Sequence, residues 1–423
     1  MDQEKIIVIG AGAAGLMAAR TLSAAGKQVI ILEARDRIGG RIWPLSPTNF
    51  GYEAQAGAEF VHGEALVTKS LAQEAGMTLI EAEGDMWSSR DGELTINGVH
   101  IPDHDILHDK LRTLEEDVSI STFLDRHFSQ EDFTPLRKAI LDIVQGYDAA
   151  DPDRVSTFEL RDEWLGGNAW KQYRIKEGYG ALLAFLESEC RARGVEIHLN
   201  THVQKIETNG STVKAYDNSG TIYEGTEVIV TVPLPILSDI TFVPPIPEKL
   251  YAASKMGFGG VIKILLRFND QWWANTLGKN FTEMDFMFSD GEVRTWWTQH
   301  PLPYPVLTGW VAGPHAEKLK GKSDDEILEI AITSLSTIFK VPTDTLYQNL
   351  VRPQIANWSA DPYARGAYSY ATPASHASRA EILKPVFSTI FFAGEALYEG
   401  RETATVEGAL ASGLATANKI VGS

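Results

Sequence analysis

Three glycines, Gly10, Gly12 and Gly15, stand in the run GAGAAG between an apolar strand-like segment, KIIVIG, and an alanine-rich helical one. In that setting Gly10 permits a tight turn, Gly12 lets the backbone approach a pyrophosphate, and Gly15 lets helix and strand pack closely. Ala13 and Ala14 fall at the start of the helix, whose positive end would face phosphates. Glu33, closing the second apolar run KQVIILEA, is the acid expected on a ribose hydroxyl. Strand, helix and acid together point to dinucleotide binding, and not to a simple turn.

Further runs carry groups suited to the same ligand. ARDRIGGRIW follows Glu33 and holds Ala34, Arg35, Gly39, Gly40 and Arg41, two arginines beside a bare glycine pair that can grip a pyrophosphate from its second side. Near the C-terminus, FFAGEALYEGRETATVEGALASG offers Gly394 and Glu395, then a helix opening near Ala404, Thr405 and Val406, with Ala409 small enough for close approach. AGAEFVHG contains Gly57, Ala58, Glu59, Phe60 and His62; HVQKI contains Val203; NWSADPYARGAYSYATPA contains Trp358 and Tyr368. In GVIKILLRF, alternation puts Ile262, Ile264, Leu266 and Phe268 on one strand face and Val261, Lys263, Leu265 and Arg267 on the other. Pattern alone makes Lys263 a lysine on a solvated face.

These segments span nearly the whole chain and resemble FAD-dependent amine oxidases and their relatives: monoamine and polyamine oxidases, lysine-specific histone demethylases, L-amino-acid oxidases and protoporphyrinogen oxidases. In motif the chain is most similar to polyamine oxidases and the demethylases. The resemblance implies FAD lying full length along the glycine segments, with Val203 against adenine, Gly394 and Glu395 at the ribityl chain, and the final helix aimed at the flavin pyrimidine. It also implies that Gly57, Ala58, Glu59 and Phe60 run past the flavin ring, beside Trp358. Lys263 reaches flavin N5 through a water in such proteins, Tyr368 presents its ring to the substrate amine, and His62 makes a polar contact. Ala367 stands where monoamine oxidases attach flavin through a cysteine, so FAD is expected to be noncovalent. Their second cage tyrosine aligns with Thr405, leaving Trp296, Trp297, Tyr173 and Tyr147 as unranked candidates to complete an aromatic cage. The expected reaction is oxidation of a primary or secondary amine, polyamine or monoamine, to an imine by hydride transfer to N5, with O2 returning the flavin and yielding H2O2. Rival readings are an L-amino-acid oxidase, a protoporphyrinogen-oxidase-like dehydrogenase, or an idle flavin-binding scaffold. GAEFVHGEAL lacks the arginine with which amino-acid oxidases anchor a carboxylate.

The elements that would position these groups form an α/β fold: a Rossmann-like FAD-binding domain with an inserted α+β substrate domain. The expected division is 1–65, 186–245 and 386–423 for the first, and 66–185 and 246–385 for the second, with residues 64–186 mostly helical. Against 38 Lys and Arg stand 56 Asp and Glu, a formal charge of −18 that disfavours nucleic acid and attracts cationic amines. The one cysteine, Cys190, sits in a helical stretch outside any metal or redox spacing. MDQEK leads straight into a strand without an export-signal pattern. The longest uncharged apolar run, Ile6 to Ala19, is shorter than the ~17–25 residues of a membrane helix. A cytoplasmic protein without a membrane partner or metal is the expectation.

Overall fold

Lys5–Ile9 and Gln28–Leu32 are apolar on both faces, the composition of strands covered from two sides. In the computed structural model, which describes residues 5–96, 101–166 and 171–422, they pair in parallel with Ile6 beside Val29 and Ile9 beside Leu32. The N-terminal MDQE falls outside the described residues. The five-stranded sheet runs Ile390–Phe392, Glu227–Val230, Lys5–Ile9, Gln28–Leu32, Glu196–His198, every neighbour parallel. Strands from the beginning, middle and end of the chain thus share one sheet.

Helices Ala13–Ala24, Gly178–Ala192 and Val406–Val421 cover one face through Leu16, Met17, Leu182, Leu186, Leu410 and Ala417. On the other face Ile7, Ile9, Ile30 and Leu32 meet Val203 and Ile206 of the strand Val203–Thr208, with Ala252 and Ile382 from two short helices. The expected junction at 186 therefore falls inside one packed helix. The one at 65 is also crossed: Glu407 of the closing helix accepts the backbone N–H groups of Val67 and Thr68 and the Thr68 hydroxyl, capping the helix Leu66–Glu74.

A seven-stranded mixed sheet dominates the second half, in the order Leu350–Asn357, Val261–Phe268, Val306–Ala312, Thr295–Trp297, Met284–Ser289, Asp85–Arg90, Glu93–Ile96. Ile262, Ile264, Leu266 and Phe268 pack behind it on the helix Asp324–Phe339 and on Trp273 and Trp296. Residues 64–186 contribute more strand than expected. Asp85–Arg90 joins this sheet in parallel with Met284–Ser289, while Gln172–Ile175 pairs antiparallel with Phe60–His62 and Leu79–Glu81. Within that stretch, DILHDKLRTLEEDVSISTFLDRHF forms two helices, His104–Arg112 and Ile120–His127; Ser119 caps the second by accepting the Thr122 N–H. No helix among the described residues is long and apolar enough to cross a membrane.

The turn between the first strand and first helix leaves no room for a side chain. A Cβ on Gly15 would lie 2.0 Å from the Gly10 carbonyl oxygen, and Gly10 itself has φ +103°. Gly15→Ala must push the helix off the strand, an overpacking cost of ~1–3 kcal/mol. A lowered melting temperature is the expected result, and an unchanged melt would show that the turn yields freely.

Candidate active site

The two halves enclose a cavity of about 1110 Å³. That exceeds the ~300–1,000 Å³ of ordinary small-molecule pockets. Gly10, Gly12, Ala13, Ala14, Glu33, Ala34, Arg35, Gly39, Gly40 and Arg41 line one end. Gly57, Ala58, Glu59, Phe60, Val203, Trp358, Gly394, Glu395, Ala404, Thr405, Val406 and Ala409 line it as well, together with Lys263, Tyr368 and His62. Gly15 does not; it packs beneath Gly10, a structural duty.

At the nucleotide end, Gly12 caps the first helix without any side-chain hydrogen bond, so the helix opens bare onto the cavity. Gly12 bridges Gly39, and a Cβ on Gly40 would meet the Gly12 Cα at 3.6 Å. Two glycine loops therefore abut around this opening, a cradle fitted to a pyrophosphate. Glu33 is fixed by accepting the Ala11 N–H at 2.7 Å and the Arg35 N–H at 2.9 Å, and burial raises its pKa.

The two expected arginines are engaged within the protein. Arg35 makes a bidentate pair with Asp361 at 2.9 and 2.6 Å; Arg41 donates to Glu395 at 2.7 Å and to the Ala367 carbonyl at 2.8 Å. Their structural role is to join segments more than three hundred residues apart in sequence, which the expectation of a simple phosphate grip omitted. Arg37, passed over in the sequence, donates to the carbonyls of Ile38, Gly40 and Ile42 and so shapes the Gly39–Gly40 loop. Its presence in the RDRIGGR run was the available signal. Glu395 also accepts the Ser369 hydroxyl at 2.6 Å. Thr405 caps the closing helix by accepting the Gly408 N–H, so this helix too starts at the cavity.

Farther in, the seven-stranded sheet presents its other face. Lys263 lies directly opposite Trp310 on one neighbouring strand and Ala356 on the other; Trp310 in turn faces Thr295. Lys263 is 1% exposed, so the solvated face that alternation implied is in fact covered. Its Nζ donates to Glu59 at 2.8 Å and to the Gly57 carbonyl at 3.0 Å. Burial pushes its pKa down, and the Glu59 carboxylate pulls it back.

The aromatic lining differs from the candidates named from sequence. Trp297 and Tyr147 line the cavity; Trp296 is wholly buried behind the sheet, and Tyr173 packs on the nucleotide-side core under Lys69. The two tryptophans are consecutive in the strand Thr295–Trp297, and pleating sends them to opposite faces. Trp310 and Phe286 complete the wall. Trp310 stacks on Tyr368 with 6.4 Å between centroids and 15° between planes, and the Tyr368 hydroxyl donates to the Tyr147 carbonyl at 2.6 Å. Trp358 donates to the Ala56 carbonyl and meets Trp43 edge-on. His62 adjoins Tyr147; burial lowers its pKa to about 4, leaving a neutral imidazole at neutral pH.

Beyond Tyr368 lies a group unforeseen in the sequence: Asp148, with Glu159 and Glu163 on the helix Thr157–Leu165. Burial raises all three: Asp148 well above its ordinary range with repulsion from Glu163 and Glu159, Glu163 to about 7 with repulsion from Glu159, and Glu159 upward against the opposing pull of Arg379. Asp148 Oδ2 is inaccessible to solvent and has no hydrogen-bond partner among the described residues. Burial first, then the nearby Asp148 carboxyl, also raises the Tyr368 phenol. The i, i+4 spacing of Glu159 and Glu163 on one helix was the only local clue.

A glycine-cradled dinucleotide groove running into an aromatic pocket with a buried lysine is the layout of a flavin-dependent oxidoreductase. The family model described as "Flavin containing amine oxidoreductase" matches residues 13–85 and 104–421, and the chain belongs to that family. It is 28% identical to lysine-specific histone demethylase 1 homolog 3 of Arabidopsis thaliana, over all of this chain and 30% of that protein. Lysine-specific histone demethylase 2 of Homo sapiens is 28% identical over 99% of this chain and 53% of its own length. The chain thus spans about a third to a half of these two curated relatives. Polyamine oxidase 4 of Oryza sativa subsp. japonica is 28% identical over 98% of this chain and 88% of its own. Putrescine oxidase bound to putrescine shares the fold with TM-score 0.82 at 21% identity, covering 100% of this chain and 99% of that one. Cyclohexylamine oxidase from Brevibacterium oxydans does so with TM-score 0.82 at 18% identity, covering 99% of each.

The raised Glu163 carboxyl has a consequence for stability. In the unfolded chain it ionises near the ordinary glutamate value of 4.5, but in the folded protein only at about 7. Stability is therefore lost as pH rises through that window, and stays lost above it. Glu163→Gln removes the penalty. Its melting-temperature advantage over the parent is expected to be larger at about pH 8 than at about pH 5, and a gap independent of pH would refute the assignment.

Proposed function

We propose that this protein is an FAD-dependent amine oxidase acting on amines with a second positive charge, polyamines or diamines. The observation that carries the reading is the pairing, within one cavity, of an apolar aromatic wall around Tyr368 and Trp310 with the buried acids Asp148 and Glu163, whose shifts come from burial and neighbouring carboxyls alone. Buried carboxylates with raised pKa values are short of a counter-cation, and a substrate ammonium supplies one.

The residues present fit the cofactor. The bare helix start at Gly12 and the Gly39–Gly40 loop would hold the pyrophosphate, Glu33 a ribose, and Val203 the adenine side. The start of the closing helix would face the flavin ring and favour negative charge there. No cysteine lines the cavity among the described residues, and Ala367 occupies the expected attachment position, which supports noncovalent binding. When bound, FAD supplies a two-electron acceptor for the amine Cα–H bond, with O2 as the onward acceptor giving H2O2.

The chain's own groups bind and orient. Tyr368 and Trp310 form the apolar wall against which the reacting amine rests, and they exclude water from it. Neutral His62 offers a polar contact that does not repel the amine. The acids hold the distal ammonium, so that the chain length between the two nitrogens sets which carbon faces the ring. Lys263 supplies a fixed group on the ring side.

Anaerobic mixing of the yellow holoprotein with 1,4-diaminobutane and with n-butylamine tests this. Both should bleach the flavin, the diamine at a half-saturating concentration lower by about tenfold or more, since a hydrogen bond to a charged group is worth about 1.5–3 kcal/mol. Asp148→Asn with Glu163→Gln should erase the difference while leaving the monoamine reaction in place. Protein that no amine bleaches would defeat the reading.

A further inference from the structure

Glu59 lines the cavity, but its contacts give it a duty other than cofactor contact. Oε2 accepts Lys263 Nζ at 2.8 Å. Oε1 accepts Arg174 Nε at 3.2 Å, Trp297 Nε1 at 3.1 Å and Gln299 Nε2 at 2.9 Å. Four donors from three separated parts of the chain thus converge on one carboxylate that is 9% exposed. Arg174 Nη2 continues the chain of charge to Asp285 at 3.4 Å and also donates to the Thr298 carbonyl, while Nη1 donates to that of His300. Two acids and two bases form a buried group that is neutral overall when all four are ionised.

We propose that Glu59 is the positioning residue for Lys263, anchoring its ammonium beside the Gly57 carbonyl and keeping it protonated at neutral pH although the side chain is buried. This rests on the reading above that Lys263 faces the reacting ring.

A lone buried lysine sheds its proton because the cation loses its solvation. Here the cation keeps a carboxylate and a carbonyl at hydrogen-bond distance, and Trp297 turns its ring toward the Nζ at 5.3 Å. Burial pushes the Glu59 carboxyl up, but Lys263 and Arg174 outweigh it and hold it at about 2, so the anion persists through the neutral range. The charged and titratable groups around Lys263 are Glu59 just before the strand Phe60–His62, Arg174 on Gln172–Ile175 and Asp285 on Met284–Ser289, with Tyr52 and His300 behind them. Of these only Glu59 touches Nζ, and Arg174 opposes the lysine charge, so the carboxylate at position 59 decides the balance.

The test labels the holoprotein with 15N at lysine and follows the Lys263 ammonium resonance, assigned by its loss in Lys263→Met, through a pH titration. The parent should show an ammonium through neutral pH that titrates only in the alkaline range. In Glu59→Gln the midpoint should fall by about 1–3 pH units, and in Glu59→Asp, whose shorter side chain keeps the charge but withdraws it, by less. A neutral Lys263 in the parent overturns the proposal, as does a midpoint unmoved in Glu59→Gln. Should Glu59→Gln fail to fold, Glu59→Asp decides: a lowered midpoint supports the proposal and an unchanged one overturns it. The resonance is observable with or without flavin, so colourless protein would defeat the cofactor reading while leaving this one open to measurement.

Discussion

Taking an ammonium out of water costs several kcal/mol unless charge and hydrogen bonds replace the solvent it loses. Meeting that requirement for Lys263 governs how the inner end of the cavity is built. The lysine sits on a central strand, flanked by Val306–Ala312 and Leu350–Asn357, so its backbone cannot drift. The Gly57 segment must come close enough to offer its carbonyl. It does so only because residue 57 lacks a side chain; a Cβ there would lie 1.9 Å from the Arg41 carbonyl oxygen. Arg174 and Asp285 then follow as the second pair that balances the first.

The same logic of paired charge fastens the two halves together. Arg35 to Asp361 and Arg41 to Glu395 each span from an early loop to a late one, and Glu407 reaches from the closing helix to cap Leu66–Glu74. Charge-assisted bonds at partly buried positions are stronger than surface pairs, and bidentate geometry fixes angle as well as distance. The cavity walls are therefore set relative to one another by side chains, in addition to the shared parallel sheet.

How much of this was legible in the sequence depended on the range of the interaction. The glycine turn at Gly10–Gly15, the acid Glu33 and the helix opening at Thr405 are local events, determined within one turn or strand, and the structure places them at the cavity. The face of Lys263 followed from alternation, but its burial did not, because the covering layer comes from residues 57–62 and 172–175. Trp310 earns its place only through a cross-strand register with Lys263, and Trp296 loses its own by one step of the pleat. Asp148 and Glu163 belong to a loop and a helix whose approach to Tyr368 is tertiary. Arg37 was visible as a residue type; its three carbonyl partners depended on how the loop curls.

Cys190 shows a consequence of burial of another kind. The only sulfhydryl in the chain is fully enclosed in the helix Gly178–Ala192, with its Sγ against the Leu16 carbonyl and its pKa pushed up to about 12. Oxidation toward sulfenic and sulfinic acids proceeds through the thiolate and requires access. A catalyst that releases an oxidant at its own surface would thus carry no cysteine vulnerable to self-inactivation, and wear over many turnovers would fall on other side chains.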